Sequence, residues 1–86
     1  MERPQSIHEQ NQFAEASSAL DKAENAVAQA QSHTSDTSLQ QAENSLEHAT
    51  RAVDEIQEAQ NQIAVERLND RLEAAQQTLS ETRHTQ

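Results

Sequence analysis

The chain contains no glycine, cysteine, tryptophan or tyrosine, and its only proline is Pro4. Without glycine, tight hairpins and phosphate-binding loops are not expected, because such turns need residues with positive φ. Without cysteine, disulfide bonds and thiolate metal sites are excluded, which fits a reducing compartment. Alanine, glutamine and glutamate dominate instead, and all three favour helices. We therefore predict that the 86 residues form one small domain that is nearly all helix.

Long apolar runs are also missing. No run approaches the length of a membrane-spanning helix. The first six residues, MERPQS, lack the apolar core of a secretory signal. The simplest interpretation is a soluble, cytoplasmic protein.

Positive charge is scarce. The sequence contains six lysines and arginines but fifteen aspartates and glutamates, so the formal net charge is −9. An acidic surface repels phosphate groups, so we expect no direct binding to nucleic acid or to a membrane. The stretch from residue 32 to residue 60 is the most acidic. It carries one arginine, Arg51, against six acids: Asp36, Glu43, Glu47, Asp54, Glu55 and Glu58.

Large apolar residues are few, but they follow a strict pattern. Leucine, isoleucine, valine and phenylalanine make up 13 of the 86 residues, a content typical of disordered chains. Their spacing indicates order instead, because three stretches repeat a heptad with a large residue at position a and usually alanine at position d. The a positions are Phe13, Leu20, Val27, Leu39, Leu46, Val53, Val65, Leu72 and Leu79, and the d positions are Ala16, Ala23, Ala30, Ala42, Ala49, Ile56, Leu68 and Ala75.

A near-repeat marks the first boundary between helices. "LDKAENAV" begins at Leu20 and "LQQAENSL" begins nineteen residues later, at Leu39. Nineteen is not a multiple of seven, so one unbroken helix cannot keep both copies on one packing face. The intervening "SHTSDTS" favours a turn, with Ser35, Asp36 or Ser38 as the cap of the next helix, and Ser38 with Gln41 as a capping box.

A second change of phase lies between Ile56 and Val65. The apolar stripe rotates by about 120° over the twelve residues from Ile56 to Leu68. Either the helix breaks near residues 59–62, with Asn61 as a new cap, or one long helix carries two faces. No glycine or proline forces the break.

These boundaries predict helices at about 5–31, 36–59 and 62–83. Short turns favour antiparallel neighbours, so we predict an all-α, antiparallel three-helix bundle with Leu/Ala heptad packing faces. The alternative is a long helical hairpin that dimerises. The core is thin, with Phe13 as its only aromatic residue, so a monomer should be marginally stable. We therefore expect self-association or docking to a partner.

No pattern of catalytic or metal-binding residues is present. His8 and His48 fall at outward heptad positions, His33 lies in the turn, and His84 lies near the chain end. Glu81 and His84 have the spacing of a di-iron half-site, but the other ligands are missing. The predicted packing faces hold no carboxylates, so we expect no enzyme, no cofactor, no metal and no small-molecule substrate.

Four residues form a candidate interaction face. Ile7 and Ile63 lie off the main packing faces, and Arg67 and Arg71 add mixed charge to helix 3. The leading hypothesis is a non-enzymatic structural or protein-interaction protein whose partner is a second copy or another protein. The alternative is an acidic regulatory module that binds a basic site on a partner protein.

Three stretches carry a family resemblance: "SALDKAENAV", "HTSDTSLQQAE" and "AQNQIAVERLNDRLEAAQQTL". With them, the chain resembles the YtzC-like group of small helical proteins of Bacillus and its relatives. The resemblance implies an all-helical fold and a bacterial setting. It implies no activity and no functional residues.

Overall fold

The protein is a bundle of three helices in a computed structural model, which describes residues 4–84 and the side chains from residue 11 onward. Helix α1 is Pro4–Ser32, α2 is Asp36–Asp54 and α3 is Gln62–His84. All three helices contact one another, α1 and α2 most extensively. The predicted all-α three-helix bundle is therefore confirmed, with α2 and α3 as separate helices in the single chain.

The turn between α1 and α2 is made by hydroxyl side chains. The Ser35 side chain accepts a hydrogen bond from the Ser38 amide at 3.1 Å, so Ser35 is the N-cap of α2. The Thr34 hydroxyl donates to the Ala30 carbonyl at 2.8 Å and satisfies the end of α1. Ser38 lies in the first turn of α2 and bonds back to His33, so it does not start a capping box with Gln41.

The second turn differs from the prediction, because α2 ends at Asp54 and not near residue 59. Beyond Asp54 the backbone tightens: Ile56 and Gln57 donate to carbonyls three residues back, at 3.1 and 3.3 Å. A distant contact accompanies this tightening, since the Gln57 side chain donates to Asn69 of α3 at 2.9 Å. Asn61 then caps α3, as predicted, by accepting from the Ala64 amide at 3.2 Å.

The core follows the heptads. Every predicted a and d residue is buried except Phe13, which is half-buried at the edge of the cluster. Three further residues are buried: Ala19, Ala59 and Thr82. Thr82 continues the d positions of α3, and its hydroxyl donates to the Thr78 carbonyl at 2.9 Å. Such back-bonding lets a hydroxyl enter an apolar face without an unsatisfied donor.

The bundle is elongated, with principal extents of 54 × 19 × 15 Å. Helix α3 runs parallel to α1 and antiparallel to α2, because Arg71 meets Asp21 and Glu24 of α1 while Arg83 meets Glu43 of α2. Within residues 4–84, no helix combines the length and the apolar character needed to cross a membrane.

Candidate functional site

Three of the four predicted face residues lie on one side of α3. Ile63, Arg67 and Arg71 follow each other at four-residue spacing in the structure. The Ile63 side chain is 68% exposed, and it is the one exposed large hydrophobic side chain among residues 11–84. Ile7 belongs to α1, but its side chain lies outside the described part of the chain.

These three residues line a groove between α1 and α3 with a volume of about 570 Å³. Phe13 and Ser17 form its α1 wall, and Phe13 is half-buried there. We call the surface formed by Phe13, Ser17, Ile63 and Arg67 the α1–α3 face. It combines two large apolar side chains with one cation, at the end of the bundle that holds the α2–α3 turn.

Arg71 closes one end of the groove by bridging the two helices. Its Nη2 atom donates to Asp21 Oδ1 at 2.6 Å and to Glu24 Oε1 at 2.8 Å, and its Nε donates to Glu24 Oε2 at 3.1 Å. These bonds, with Glu24 first, raise the pKa of the guanidinium above its ordinary value. Arg71 therefore fixes α3 against α1, and its charge is satisfied within the chain.

Arg67 is different, because it makes no ion pair with any residue that the structure describes. It is exposed and lies one turn from both Ile63 and Arg71. Its charge is therefore available to an outside carboxylate. The arrangement of a free guanidinium beside exposed apolar side chains is typical of protein contact surfaces, where arginine is enriched.

Sequence reasoning missed Phe13 as part of this face and missed the partners of Arg71. Phe13 was assigned to the core because it occupies an a position. Its partial exposure could have been predicted, because Phe13 is the first a position of helix 1 and has fewer neighbours to cover it there. Asp21 and Glu24 stand at positions b and e of their heptad, and acids at flanking positions are common partners for cations on the next helix.

A second groove, of about 600 Å³, lies between α2 and α3. Leu46 and Leu79 form its floor, and an ion pair between Arg83 and Glu43 closes it. His84 lies on its edge, yet no group of three or more potential metal ligands occurs in the described range. His33 and His48 are exposed and far from one another along the chain. Glu43, Glu47 and His84 line this groove, but within the described range they do not form such a group.

Comparisons with known proteins leave this site without a precedent. No family model matches the chain, and no curated protein or solved structure matches it significantly. The resemblance to the YtzC-like group therefore stays a prediction.

Proposed function

We propose that this chain is a non-enzymatic, cytoplasmic protein-interaction module that docks a protein partner on the α1–α3 face. In this proposal it acts without a cofactor, a metal or a small-molecule substrate. The bacterial setting follows from the YtzC-like resemblance. The observation that carries the proposal is Ile63, which keeps 68% of its side chain in water beside the apolar groove.

The apolar part of the face supports binding. Covering Ile63 and the exposed part of Phe13 with a partner would contribute about 2–4 kcal/mol, since fully burying a large side chain is worth about 1.5–3 kcal/mol. That gain does not suffice for tight binding on its own, because association also costs translational and rotational freedom. The partner must therefore add contacts around the groove, and Arg67 offers a charged one.

The charge pattern supports the choice of partner. Arg67 is a free cation on a chain of net charge −9, and Arg71 next to it is already paired. A partner segment that carries an apolar side chain for the groove and a carboxylate for Arg67 fits this pattern. The carboxylate also fixes the register of the contact, since guanidinium–carboxylate pairs are directional.

Site-specific photo-cross-linking tests the proposal. A photoreactive amino acid replaces Ile63 in one variant and Gln76 in the control, because Gln76 is exposed on the flank of α3 that faces α2. In lysate of the source organism, we expect a discrete adduct from position 63 only. We also expect Arg67→Glu to weaken that adduct. Equal adducts from both positions, or an adduct from position 63 that Arg67→Glu leaves unchanged, would contradict the α1–α3 face.

A second candidate function has its own observation. Asp54, Glu55 and Glu58 are exposed around the α2–α3 turn and form no ion pair with other described residues. We infer that they allow the alternative role of an acidic regulatory module on a basic partner site. A lysine-rich peptide should then bind with an affinity that falls steeply with salt. The triple Asn/Gln/Gln variant should lose that binding, whereas Ile63→Ser should keep it.

A further inference from the structure

Each connection ends in a cap for the next helix, Ser35 for α2 and Asn61 for α3, but the two connections differ in what ends the helix before them. The α1–α2 turn holds local stop signals, namely the Thr34 and Ser35 side-chain bonds. The α2–α3 connection, residues 55–61, holds glutamate, isoleucine, glutamine, alanine and one asparagine, with no glycine or proline. No described residue has positive φ. Nothing in the backbone of this connection therefore opposes a return to α-helix.

The bonds that keep this connection bent come mostly from side chains. Gln57 exchanges two hydrogen bonds with Asn69, at 2.9 and 3.3 Å. The Gln62 side chain donates to the carbonyls of Ala59 and Gln57. Backbone bonds there span only three residues or fewer from Ile56 to Gln62. A continuous helix would replace the short backbone bonds by regular ones and release the side chains to water.

Ile63 has a place in such a helix. It follows Ile56 by seven residues, so it continues the apolar stripe of α2 through Val53 and Ile56. In the bent chain this stripe stops at the turn, which leaves Ile63 exposed while Ile56 is only 1% exposed. The apolar stripe of α2 is therefore longer than the part that the single chain buries.

We propose that the chain forms a dimer with a second copy of itself by exchange of α3. Residues 55–61 become helical and join α2 and α3 into one helix from Asp36 to His84. Helix α3 of each copy packs on α1 and α2 of the other, with the same core contacts and the same pairing of Arg71 with Asp21 and Glu24. The dimer thus keeps two three-helix bundles.

The different directions of the apolar stripes of α2 and α3 are compatible with this exchange. On the long helix, the core faces of α2 and α3 point about 120° apart, so the two bundles lie on different sides of it. The two long helices cross at residues 55–61. Ile63 lies about 8 Å from the middle of that connection, where the other copy covers it. Exchange by a hinge segment is a low-cost route to dimers because it reuses contacts that already exist.

The exchange uses the core faces and does not rest on the proposed docking function. A substitution at Gln60 tests the exchange of α3 separately from docking on the α1–α3 face, because Gln60 does not line the α1–α3 groove. Gln60 lies outside both helices, and its amide donates no hydrogen bond among those found in the described residues. Proline at this position therefore removes no backbone hydrogen bond from the bent connection, but it breaks a continuous helix. Gln60→Ala is the matched control.

Sedimentation equilibrium after refolding at high concentration gives the first test. We expect wild type and Gln60→Ala to move from 9.6 kDa towards twice that mass as concentration rises. We expect Gln60→Pro to stay at the monomer mass with unchanged helix content. A wild type that stays monomeric at millimolar concentration overturns the proposal, and so does a Gln60→Pro chain that dimerises like wild type.

Spin-label distances give the second test. Glu47→Cys and Ser80→Cys place labels across the α2–α3 groove of one chain, in a protein without other cysteines. Diluted into excess unlabelled protein, doubly labelled chains report distances within one copy. We expect a short distance in the monomer and about 50 Å in the dimer, because 33 residues of helix separate the labels. A dimer that keeps only the short distance associates by an outer surface and contradicts the exchange.

Discussion

Replacing Leu20 by alanine should remove a large fraction of the stability of the bundle. Leu20 is fully buried, in a packing face whose d positions Ala16 and Ala23 are also fully buried. The substitution deletes three carbon atoms, worth about 2.4 kcal/mol at about 0.8 kcal/mol per buried methylene. The cavity left behind adds a further term, since small neighbours cannot fill it, so we expect a total of about 3–4 kcal/mol.

The size of the chain makes this loss easy to measure. A domain of 86 residues has an unfolding entropy of about 0.18 kcal/mol/K at about 2.1 cal/mol/K per residue. The midpoint temperature should therefore fall by about 17–22 °C. Urea and thermal unfolding followed by circular dichroism at micromolar concentration provide the measurement. The matched control is Ile63→Ala, which truncates an exposed side chain and should cost less than about 0.5 kcal/mol.

Two results would contradict this expectation: a cost of less than about 1 kcal/mol for Leu20→Ala, or an equal cost for Ile63→Ala and Leu20→Ala. The first result would mean that the heptad residues are not packed as tightly as their burial indicates. The second would mean that Ile63 is covered even at micromolar concentration.

Three further predictions concern polar contacts. Ser35→Ala should cost about 1 kcal/mol in urea unfolding because it removes the N-cap of α2, whereas Thr37→Ala should cost less than half of that. Arg71→Gln should cost about 0.5–1 kcal/mol at low salt and less in molar salt. The bonds to Glu24 and Asp21 raise the pKa of Arg71, so its contribution to stability is lost only as the pH rises past the ordinary pKa of arginine, and the stability difference from Arg71→Gln should not shrink between neutral pH and about pH 10. Asn69→Ala should cost about 1 kcal/mol and speed amide exchange at residues 56–62, because it removes the partner of Gln57.

The packing of the bundle could be predicted from the sequence because the heptads carry it locally. A large residue at a and alanine at d place a buried face on each helix without knowledge of the partner helix. The first turn was predictable for the same reason, since Ser35 lies next to the helix it caps. The end of α2 was not predictable, because the contact that accompanies it joins Gln57 to Asn69, twelve residues along the chain, and no local pattern indicates that contact.

The candidate face was predictable only in part. Ile63 and Arg67 could be found because they lie off the packing faces of their own helix, a property of α3 alone. The role of Arg71 depends on the rotation of α1 that brings Asp21 and Glu24 towards it, and rotation follows from the packed core. Two arginines four residues apart, alike in the sequence, thus differ in the fold. Arg71 holds α3 against α1, whereas Arg67 remains available to a partner.

The alanines at the d positions have a consequence for how this sequence can change over time. Ala16, Ala23, Ala30, Ala42 and Ala49 are fully buried where helices approach each other. A larger side chain at any of them would force the helices apart, while a leucine at an a position can be exchanged for isoleucine or methionine at small cost. A complete substitution scan should therefore show the smallest residues of the core as the least replaceable ones. Descendants of this chain should conserve the pattern of its alanines longer than the identity of its leucines.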